Sequence, residues 1–129
     1  MASQTIDVSV IIPVYNGEKS IQQIVDAVLA EHRVSLELIV IDDGSTDNTQ
    51  SILSSINDDR LKVISQQNSG VYVARNAGLA AHQGKWWILL DADDEIHPDM
   101  IYSRHKLAEE NRCDVLISNG MFTRERHQH

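Results

Sequence analysis

The amino-acid sequence predicts an α/β fold with a mostly parallel sheet and helices on both faces. Short, nearly continuous apolar runs rich in β-branched residues alternate with helical segments along the chain. Runs of this kind are typical of strands covered on both faces, and regular alternation of strands with helices is typical of parallel sheets. The predicted strands are residues 8–14, 36–42, 61–65, 86–91 and 114–118.

Two helices are predicted between the first three strands. In the first, apolar residues recur at intervals of three and four, which makes a single apolar stripe along one face. Ser45 or Thr46 is expected to cap the second helix. The apolar positions are Ile21, Ile24, Val25, Val28 and Leu29 in the first helix, and Ile52, Leu53 and Ile56 in the second.

Two further helices follow, one from about Gly70 to His82 and one beginning at Asp99. Small residues along one face of the third helix would let it lie close to the sheet. The residues expected to face inward are Ala74, Ala77, Gly78 and Ala81 in the third helix, and Ile101, Leu107 and Ala108 in the fourth. Residues 119–129 are polar and aperiodic, and they are predicted to form a frayed tail.

Composition limits the class of protein. A chain of 129 residues with 42% hydrophobic content is predicted to form one ordinary domain. Its formal net charge of −8, from 11 basic and 19 acidic residues, argues against nucleic-acid binding, which normally needs clustered lysine and arginine. No segment approaches the ~20 apolar residues of a membrane span, and no signal peptide is recognised. The single cysteine excludes an internal disulfide, so a cytoplasmic location is expected.

Three polar clusters follow predicted strands: "PVYNG" after the first, "DDGSTD" after the second and "DADDE" after the fourth. In an open parallel sheet, ligands bind beyond the carboxyl ends of the strands, where the strand order reverses. A solvated turn explains each cluster alone about as well as a site does. Three clusters at one edge of the sheet favour a binding site.

The third cluster places four acidic residues within five positions, at residues 91–95. Like charges at ~4 Å repel by roughly 1 kcal/mol per pair even in bulk water, so the crowding predicts that something positive is bound there. Asp91 and Asp93 are two residues apart, and in an extended chain their side chains point to the same side.

The segments "VSVIIPVYNGEKSIQQIVDAVL", "LIVIDDGSTDNT" and "NSGVYVARNAGLAAHQGKWWILLDADDEIHPDMI" closely resemble, in order and spacing, the nucleotide-binding half of the family 2 inverting glycosyltransferases. The resemblance covers about residues 8–118. It implies the GT-A fold, which is a Rossmann-like nucleotide-binding domain. It also implies that residues 1–118 bind a nucleotide-sugar donor and that residues 119–129 are a polar tail.

The resemblance assigns the nucleotide base to the first two clusters. Tyr15 is expected to lie against the base of a nucleoside diphosphate sugar, often a uridine-linked one, and Pro13 beside it would hold the loop through its fixed φ. Asp43 would accept a hydrogen bond from the uracil imide N–H, while Asp42 would contact the nucleotide or only orient the turn. Gly44 would permit close approach of the backbone. The alternatives are a half-buried tyrosine and an Asx turn into the second helix.

The resemblance assigns the diphosphate and a metal to the third cluster. Asp91 and Asp93 match the family's D-x-D motif, in which the second aspartate ligates a divalent cation and the first lies near the ribose or metal-bound water. Asp94 also matches a family acid and is a further candidate ligand. The expected cofactor is Mn²⁺ or Mg²⁺, a hard cation that prefers oxygen ligands. Arg75 in "ARNAG" is the candidate diphosphate contact, with a surface salt bridge as the alternative.

The implied reaction is displacement at the anomeric carbon of the donor, with inversion, by a glycan or lipid-linked acceptor. The metal would stabilise the leaving diphosphate, and a carboxylate would deprotonate the acceptor hydroxyl. In the family this base follows well after the D-x-D segment, in an acceptor-binding half that is expected to be absent here. No catalytic residue is therefore assigned, and the base is expected beyond residue 129. The resemblance also allows peripheral membrane association of the full-length protein.

Two other classes of function share part of this pattern. A phosphoacceptor receiver domain also repeats βα units and binds Mg²⁺, but it requires an acid pair after the first strand, where this chain has "PVYNG". A non-catalytic nucleotide-sugar-binding module, or a truncated fragment lacking the base, is harder to distinguish from the donor domain of a transferase. A donor domain without a base is itself such a module. The chain alone is expected not to transfer sugar to an acceptor.

Overall fold

The computed structural model describes residues 5–111, 115–117 and 121–124, with side chains described over 5–111. Strands and helices alternate as far as α4, as the sequence predicts. The elements are β1 (Val8–Val14), α1 (Ile21–Leu29), β2 (Leu36–Asp42), α2 (Thr49–Ser54), β3 (Leu61–Ser65), α3 (Val71–Ala81), β4 (Trp86–Leu89), α4 (Met100–Glu110), β5 (Val115–Ile117) and β6 (Met121–Arg124).

The strands form one sheet in the order β3-β2-β1-β4-β6-β5. β1 pairs in parallel with both β2 and β4, and β2 pairs in parallel with β3. The chain moves outward from β1 to β3 on one side and then returns to place β4 on the other side of β1. The strand order therefore reverses between β1 and β4, and their carboxyl ends mark the expected ligand crevice.

Helices cover both faces of the sheet, as predicted. Helices α1, α2 and α4 contribute to a core on one face, together with Val10 and Ile88 of the sheet. Helix α3 packs on the other face, where Ala74 lies against Ile11 and Ile41. All residues of β1 and β2 are buried, as their nearly continuous apolar sequences indicate. The predicted α/β fold with a mostly parallel sheet is confirmed.

The far end of the sheet differs from the prediction. Residues 114–118 were expected to add a parallel strand, but β5 pairs antiparallel with β6, and β6 pairs antiparallel with β4. The expected frayed tail, residues 119–129, therefore contains a strand. Only three residues separate β5 from β6, a spacing that returns a chain antiparallel. The strand "MFTR" is short and half polar, and pairing with the edge of β4 gives it the order that its own pattern does not indicate.

The helices are confirmed in number and place, with three differences in detail. All five predicted stripe residues of α1 are buried. Helix α2 begins after Asn48 rather than after Ser45 or Thr46. Leu107 is 45% exposed, because it lies about 120° around the helix from buried Ile101 at 100° per residue.

The third difference is at Ala81, the last residue of α3, which is exposed, while Ala74 and Gly78 alone are buried in that helix.

None of the helices in the described ranges combines the length and the apolar character needed to cross a bilayer.

Candidate functional site

A pocket of about 190 Å³ lies at the carboxyl ends of β1 and β2. Pro13 and Tyr15 line it from β1 and the loop that follows, and Asp43 lines it from the end of β2. Val71 and Ala74 close it from the first turns of α3. Tyr15 is 52% exposed, so its ring is accessible to a ligand, whereas Pro13 is buried. The structure thus brings together three residues that the sequence placed in two separate clusters.

The Asp43 carboxylate holds the segment that leads into α3. Its Oδ1 accepts hydrogen bonds from Gln66 Nε2 and from the Ser69 N–H, each at 2.8 Å, and its Oδ2 accepts the Gly70 N–H at 3.0 Å. These three bonds, first of all that from Gln66, hold the pKa of Asp43 below its ordinary value of 3.8. A carboxylate has about four acceptor positions, so three donors leave Asp43 one.

Asp42 is wholly buried and holds the turn after β2. Its Oδ1 accepts the Ser45 N–H at 3.1 Å, and its main-chain oxygen accepts the Gln66 N–H at 3.0 Å. Its Oδ2 has no hydrogen-bond partner in the part of the chain that the structure describes. This placement favours the turn-orienting role over a direct contact with a nucleotide.

Gly44 has a φ of +79°, in the region where side chains are strained. A Cβ at this position would lie 2.7 Å from the backbone nitrogen of Asn68. The close backbone approach expected at Gly44 is therefore made by the loop that contains Asn68. The same approach brings Asn68 Nδ2 to 3.2 Å from the main-chain oxygen of Asp43.

Hydrogen bonds join the β1–α1 loop to the β2–α2 loop beside the pocket. Asn16 accepts the N–H groups of Thr46 at 2.7 Å and Asp47 at 3.3 Å, and its own N–H donates to Ser45 Oγ at 2.9 Å. The Gly17 N–H donates to Thr49 Oγ1 at 2.9 Å. Together with the bond from Thr46 Oγ1 to Asn16 Oδ1 at 3.4 Å, these bonds engage the hydroxyls of Ser45 and Thr46 with the β1–α1 loop, and α2 begins later, after Asn48.

Sequence reasoning did not assign roles to Asn16, Gln66 or Ser69. The dipeptide "NG" at residues 16–17 indicates a turn. Nothing in its spacing indicates that the Asn16 side chain bonds a loop 30 residues away, because that pairing follows from the register of β1 against β2.

The second part of the site is the acidic cluster, which we define as Asp91, Asp93 and Asp94. All three are exposed, and one carboxylate oxygen from each lies within 4.8 Å of the others. Asp91 and Asp94 are joined by reciprocal bonds: the Asp91 N–H donates to Asp94 Oδ2 at 2.8 Å, and the Asp94 N–H donates to the Asp91 main-chain oxygen at 3.0 Å. Oxygen ligands on opposite sides of a magnesium or manganese ion lie about 4 to 4.5 Å apart, so the spacing of these carboxylates is compatible with one such ion.

Arg75 connects the acidic cluster to α3. Its Nη2 lies 3.0 Å from Asp91 Oδ1, and the pair is partly exposed. The surface salt bridge that the sequence left open is therefore present. The Arg75 Nε is buried and has no hydrogen-bond partner among the described residues, so this donor of the guanidinium is not satisfied by that part of the fold.

Helix α3 joins the two parts of the site. Its first turns supply Val71 and Ala74 to the pocket, and the next residue, Arg75, reaches the acidic cluster. Three groups follow one another along the edge of the sheet: the apolar pocket with the Asp43 carboxylate, the Arg75 guanidinium and the three carboxylates of the acidic cluster. This order can accommodate a base, a polyanion and a divalent cation in a single elongated ligand.

A larger cavity, of about 570 Å³, lies at the opposite edge, where β2 and β3 begin. Its lining includes Arg33, Arg60 and Lys62, but each of these cations is paired: Arg33 with Glu31 and Asp99, Arg60 with Asp58, and Lys62 with Glu37. The charges there are compensated within the fold, and the cavity lies away from the strand-order reversal. The smaller pocket is therefore the better candidate.

The chain is similar to glycosyltransferases both in sequence and in structure. The family model "Glycosyl transferase family 2" matches residues 9–126. Glycosyltransferase GlyG of Streptococcus pneumoniae serotype 4 is 33% identical over 115 residues, which are 87% of this chain and 38% of that protein.

Two solved structures illustrate the fold. TarS 1–349 of S. aureus in complex with UDP-GlcNAc is 32% identical, with a TM-score of 0.81, and the match covers 87% of this chain and 34% of that one. Mannosyltransferase PcManGT from Pyrobaculum calidifontis, in complex with GDP-Man and Mn²⁺, is 26% identical, with a TM-score of 0.72, over 82% of this chain and 33% of that one. The chain spans about a third of the length of these relatives. With the family model matching most of its length and glycosyltransferases sharing its sheet and helices, the chain belongs to glycosyl transferase family 2 and has the GT-A fold.

Proposed function

We propose that this chain is the donor-binding part of an inverting glycosyltransferase and that it binds a UDP-sugar together with a divalent cation. The observation that carries the proposal is the role of α3, which lines the pocket with Val71 and Ala74 and touches the acidic cluster with Arg75. A nucleoside diphosphate sugar needs sites for a base, a diphosphate and a cation in that order. The relatives bound to UDP-GlcNAc and to GDP-Man with Mn²⁺ support this ligand class.

The base is assigned to the pocket between Tyr15 and Asp43. The exposed ring of Tyr15 offers a flat apolar surface against which a base can stack, and buried Pro13 fixes the backbone beside it. Asp43 has about one acceptor position left, and uracil presents a single imide N–H. Guanine would present two neighbouring donors on the corresponding edge, so the remaining acceptor suits uracil better. Gly44 and Asp42 hold the turn that places Asp43.

The diphosphate is assigned to Arg75 and the cation to the acidic cluster. Three carboxylates fit Mn²⁺ or Mg²⁺, because both prefer hard oxygen ligands. The cation would offset the repulsion within the cluster and supply the charge that stabilises the departing diphosphate. Arg75 would turn from Asp91 to the phosphate oxygens, which its planar donors can bind in pairs.

Transfer would pass the sugar from the donor to a hydroxyl of a glycan or lipid-linked acceptor, with inversion at the anomeric carbon. This reaction breaks the bond from the anomeric carbon to the diphosphate oxygen and requires a base for the acceptor hydroxyl. The described residues at the site bind and orient the donor, and none of them is assigned as that base. We place the activity in polysaccharide or related glycan synthesis in the cytoplasm.

Calorimetric titration of the 129-residue chain with UDP, CDP and ADP in the presence of Mn²⁺ tests the proposal. UDP should bind tightest, because only uracil offers its imide N–H to Asp43 in this form. Asp43→Ala should weaken UDP binding by about 1 to 3 kcal/mol and remove the preference. Equal affinity for the three nucleotides would show that Asp43 holds the loop but does not read the base.

A further inference from the structure

Asn16 has an unusual backbone at the mouth of the pocket. Its φ is +52°, and it is the one non-glycine residue with a positive φ among those the structure describes. Asparagine tolerates this left-handed conformation better than most residues. The conformation lets the Asn16 side chain turn towards the β2–α2 loop while Tyr15, the residue before it, lines the pocket.

We infer that Asn16 is a positioning residue for base recognition: it fixes Tyr15 on the first loop relative to Asp43 on the second. This inference rests on the proposed function and adds a residue to it. The two sides of the pocket come from loops that are 28 residues apart in sequence, at Tyr15 and Asp43. Bonds between those loops therefore set the width of the pocket.

The hydrogen bonds of Asn16 are placed to do this. Its Oδ1 accepts the N–H of Thr46 and, at longer range, that of Asp47, which lie just after Asp43 and Gly44. Its backbone N–H donates to Ser45 Oγ, so the two loops are bonded in both directions through one residue. The bond from the Asp43 N–H to the Val14 main-chain oxygen, at 2.8 Å, joins the same loops on the strand side. Tyr15 is held between these two connections.

The chain offers a matched control for a purely structural role. Asn48 Nδ2 donates to Glu18 Oε2 at 3.0 Å and so also links the two loops, but it lies farther along both of them than Tyr15 and Asp43. Asn48 has a negative φ of −84° and makes no side-chain cap to α2. Losing this bond costs an inter-loop contact without disturbing the residue next to Tyr15.

The test compares three substitutions. Asn16→Gly keeps the positive φ at no steric cost and removes the acceptor, Asn16→Asp keeps an acceptor in the same position, and Asn48→Ala removes the other inter-loop bond. Each variant is titrated with UDP and with inorganic diphosphate in the presence of Mn²⁺, and thermal unfolding checks that it is folded. Inorganic diphosphate has no base and therefore does not use the pocket.

Asn16→Gly should weaken UDP binding about tenfold while leaving diphosphate binding within about twofold. Asn16→Asp should restore UDP binding to within about threefold of the parent, and Asn48→Ala should match the parent. Parent-like UDP binding by Asn16→Gly, equal losses for UDP and diphosphate, or no recovery in Asn16→Asp would each overturn the role of Asn16. Failure of the parent chain itself to bind UDP would instead refute the proposed function.

Discussion

At the scale of single residues, the site depends on side chains that bond neighbouring segments of the fold and also face a possible ligand. Asp43 shows this most clearly, because its carboxylate accepts hydrogen bonds from Gln66, Ser69 and Gly70 in the absence of a nucleotide. The last two donors lie just before α3, where the helix dipole also stabilises a negative charge. The arrangement orients the carboxylate in advance, so binding a base does not require it to be ordered.

Replacing Asp43 with asparagine should therefore change stability as well as binding. The lowered pKa of Asp43 means that its contribution to the free energy of unfolding is complete above the ordinary value of 3.8 and is lost as the pH falls through the lowered value. Asp43→Asn should destabilise the chain at pH 7 by roughly 1 to 3 kcal/mol, since an amide nitrogen would face one N–H donor. Urea unfolding at pH 7 and pH 3 measures this difference.

The difference between Asp43→Asn and the parent should be smaller at pH 3 than at pH 7. Asp26→Asn is the control, because Asp26 is exposed on α1 and accepts only an exposed bond from Gln22 among the contacts described. A loss of stability in Asp43→Asn that stays constant with pH would contradict the role of the charged carboxylate.

Arg75 gives a second prediction at this scale. Its ion pair with Asp91 is partly exposed, so Arg75→Gln should change the unfolding free energy by less than about 1 kcal/mol. Titration calorimetry should show that Mn²⁺ alone binds the variant more tightly, because Asp91 loses a competing cation. UDP with Mn²⁺ should bind several-fold more weakly, because the diphosphate loses its donor. Unchanged UDP affinity would leave Arg75 as a surface salt bridge only.

At the scale of elements, α3 has to lie close to the sheet to join the two parts of the site. Gly78 makes this possible, because a Cβ there would meet the side chain of Ile11 and would lie 2.8 Å from Ile41 Cδ1. Helix propensity alone favours Gly78→Ala by about 1 kcal/mol, while overpacking a core costs about 1 to 3 kcal/mol. We expect overpacking to prevail, with a net loss of stability and weaker UDP binding.

Chemical denaturation of Gly78→Ala and Asn76→Ala separates these effects. Asn76 is exposed on the same helix, so its replacement should be neutral or slightly stabilising through propensity alone. A more stable Gly78→Ala variant with unchanged UDP binding would show that α3 can move away from the sheet without cost.

The same scale shows how far the sequence predicts the structure. Apolar runs and helical stripes predict β1 to β4 and all four helices, because those patterns record burial on one or both faces. They do not predict β6, whose order comes from pairing with β4. They also misplace the start of α2, where the side chains of Ser45 and Thr46 bond Asn16 of a distant loop instead of the helix. The positions of the polar clusters after parallel strands predict that Tyr15, Asp43 and the acidic cluster lie at one edge of the sheet, and the parallel pairing of β1 with β2 and β4 agrees with this. The bonds that orient these side chains depend on the strand register and were not predicted.

At the scale of the whole molecule, the acidic cluster concentrates three of the negative charges of a chain whose formal net charge is −8, and these charges repel one another. If the cluster binds a cation, this repulsion is unfavourable in the metal-free chain and is offset only when metal and nucleotide bind. Stability should then be linked to ligands: anything that binds the folded state alone raises the unfolding temperature. A cluster that is only a solvated turn would show no such linkage.

The most direct measurement is UDP binding to the parent chain and to Asp93→Asn, by calorimetry and by thermal unfolding, with Mn²⁺ and with chelator. Chelator should abolish most of the UDP affinity of the parent, and Asp93→Asn, which keeps the shape and loses the charge, should remove most of the metal dependence. Without metal, Asp93→Asn should be as stable as the parent or slightly more stable, because it relieves repulsion with Asp91 and Asp94. A destabilised metal-free variant that binds UDP as the parent does would contradict a cation-binding role for the acidic cluster.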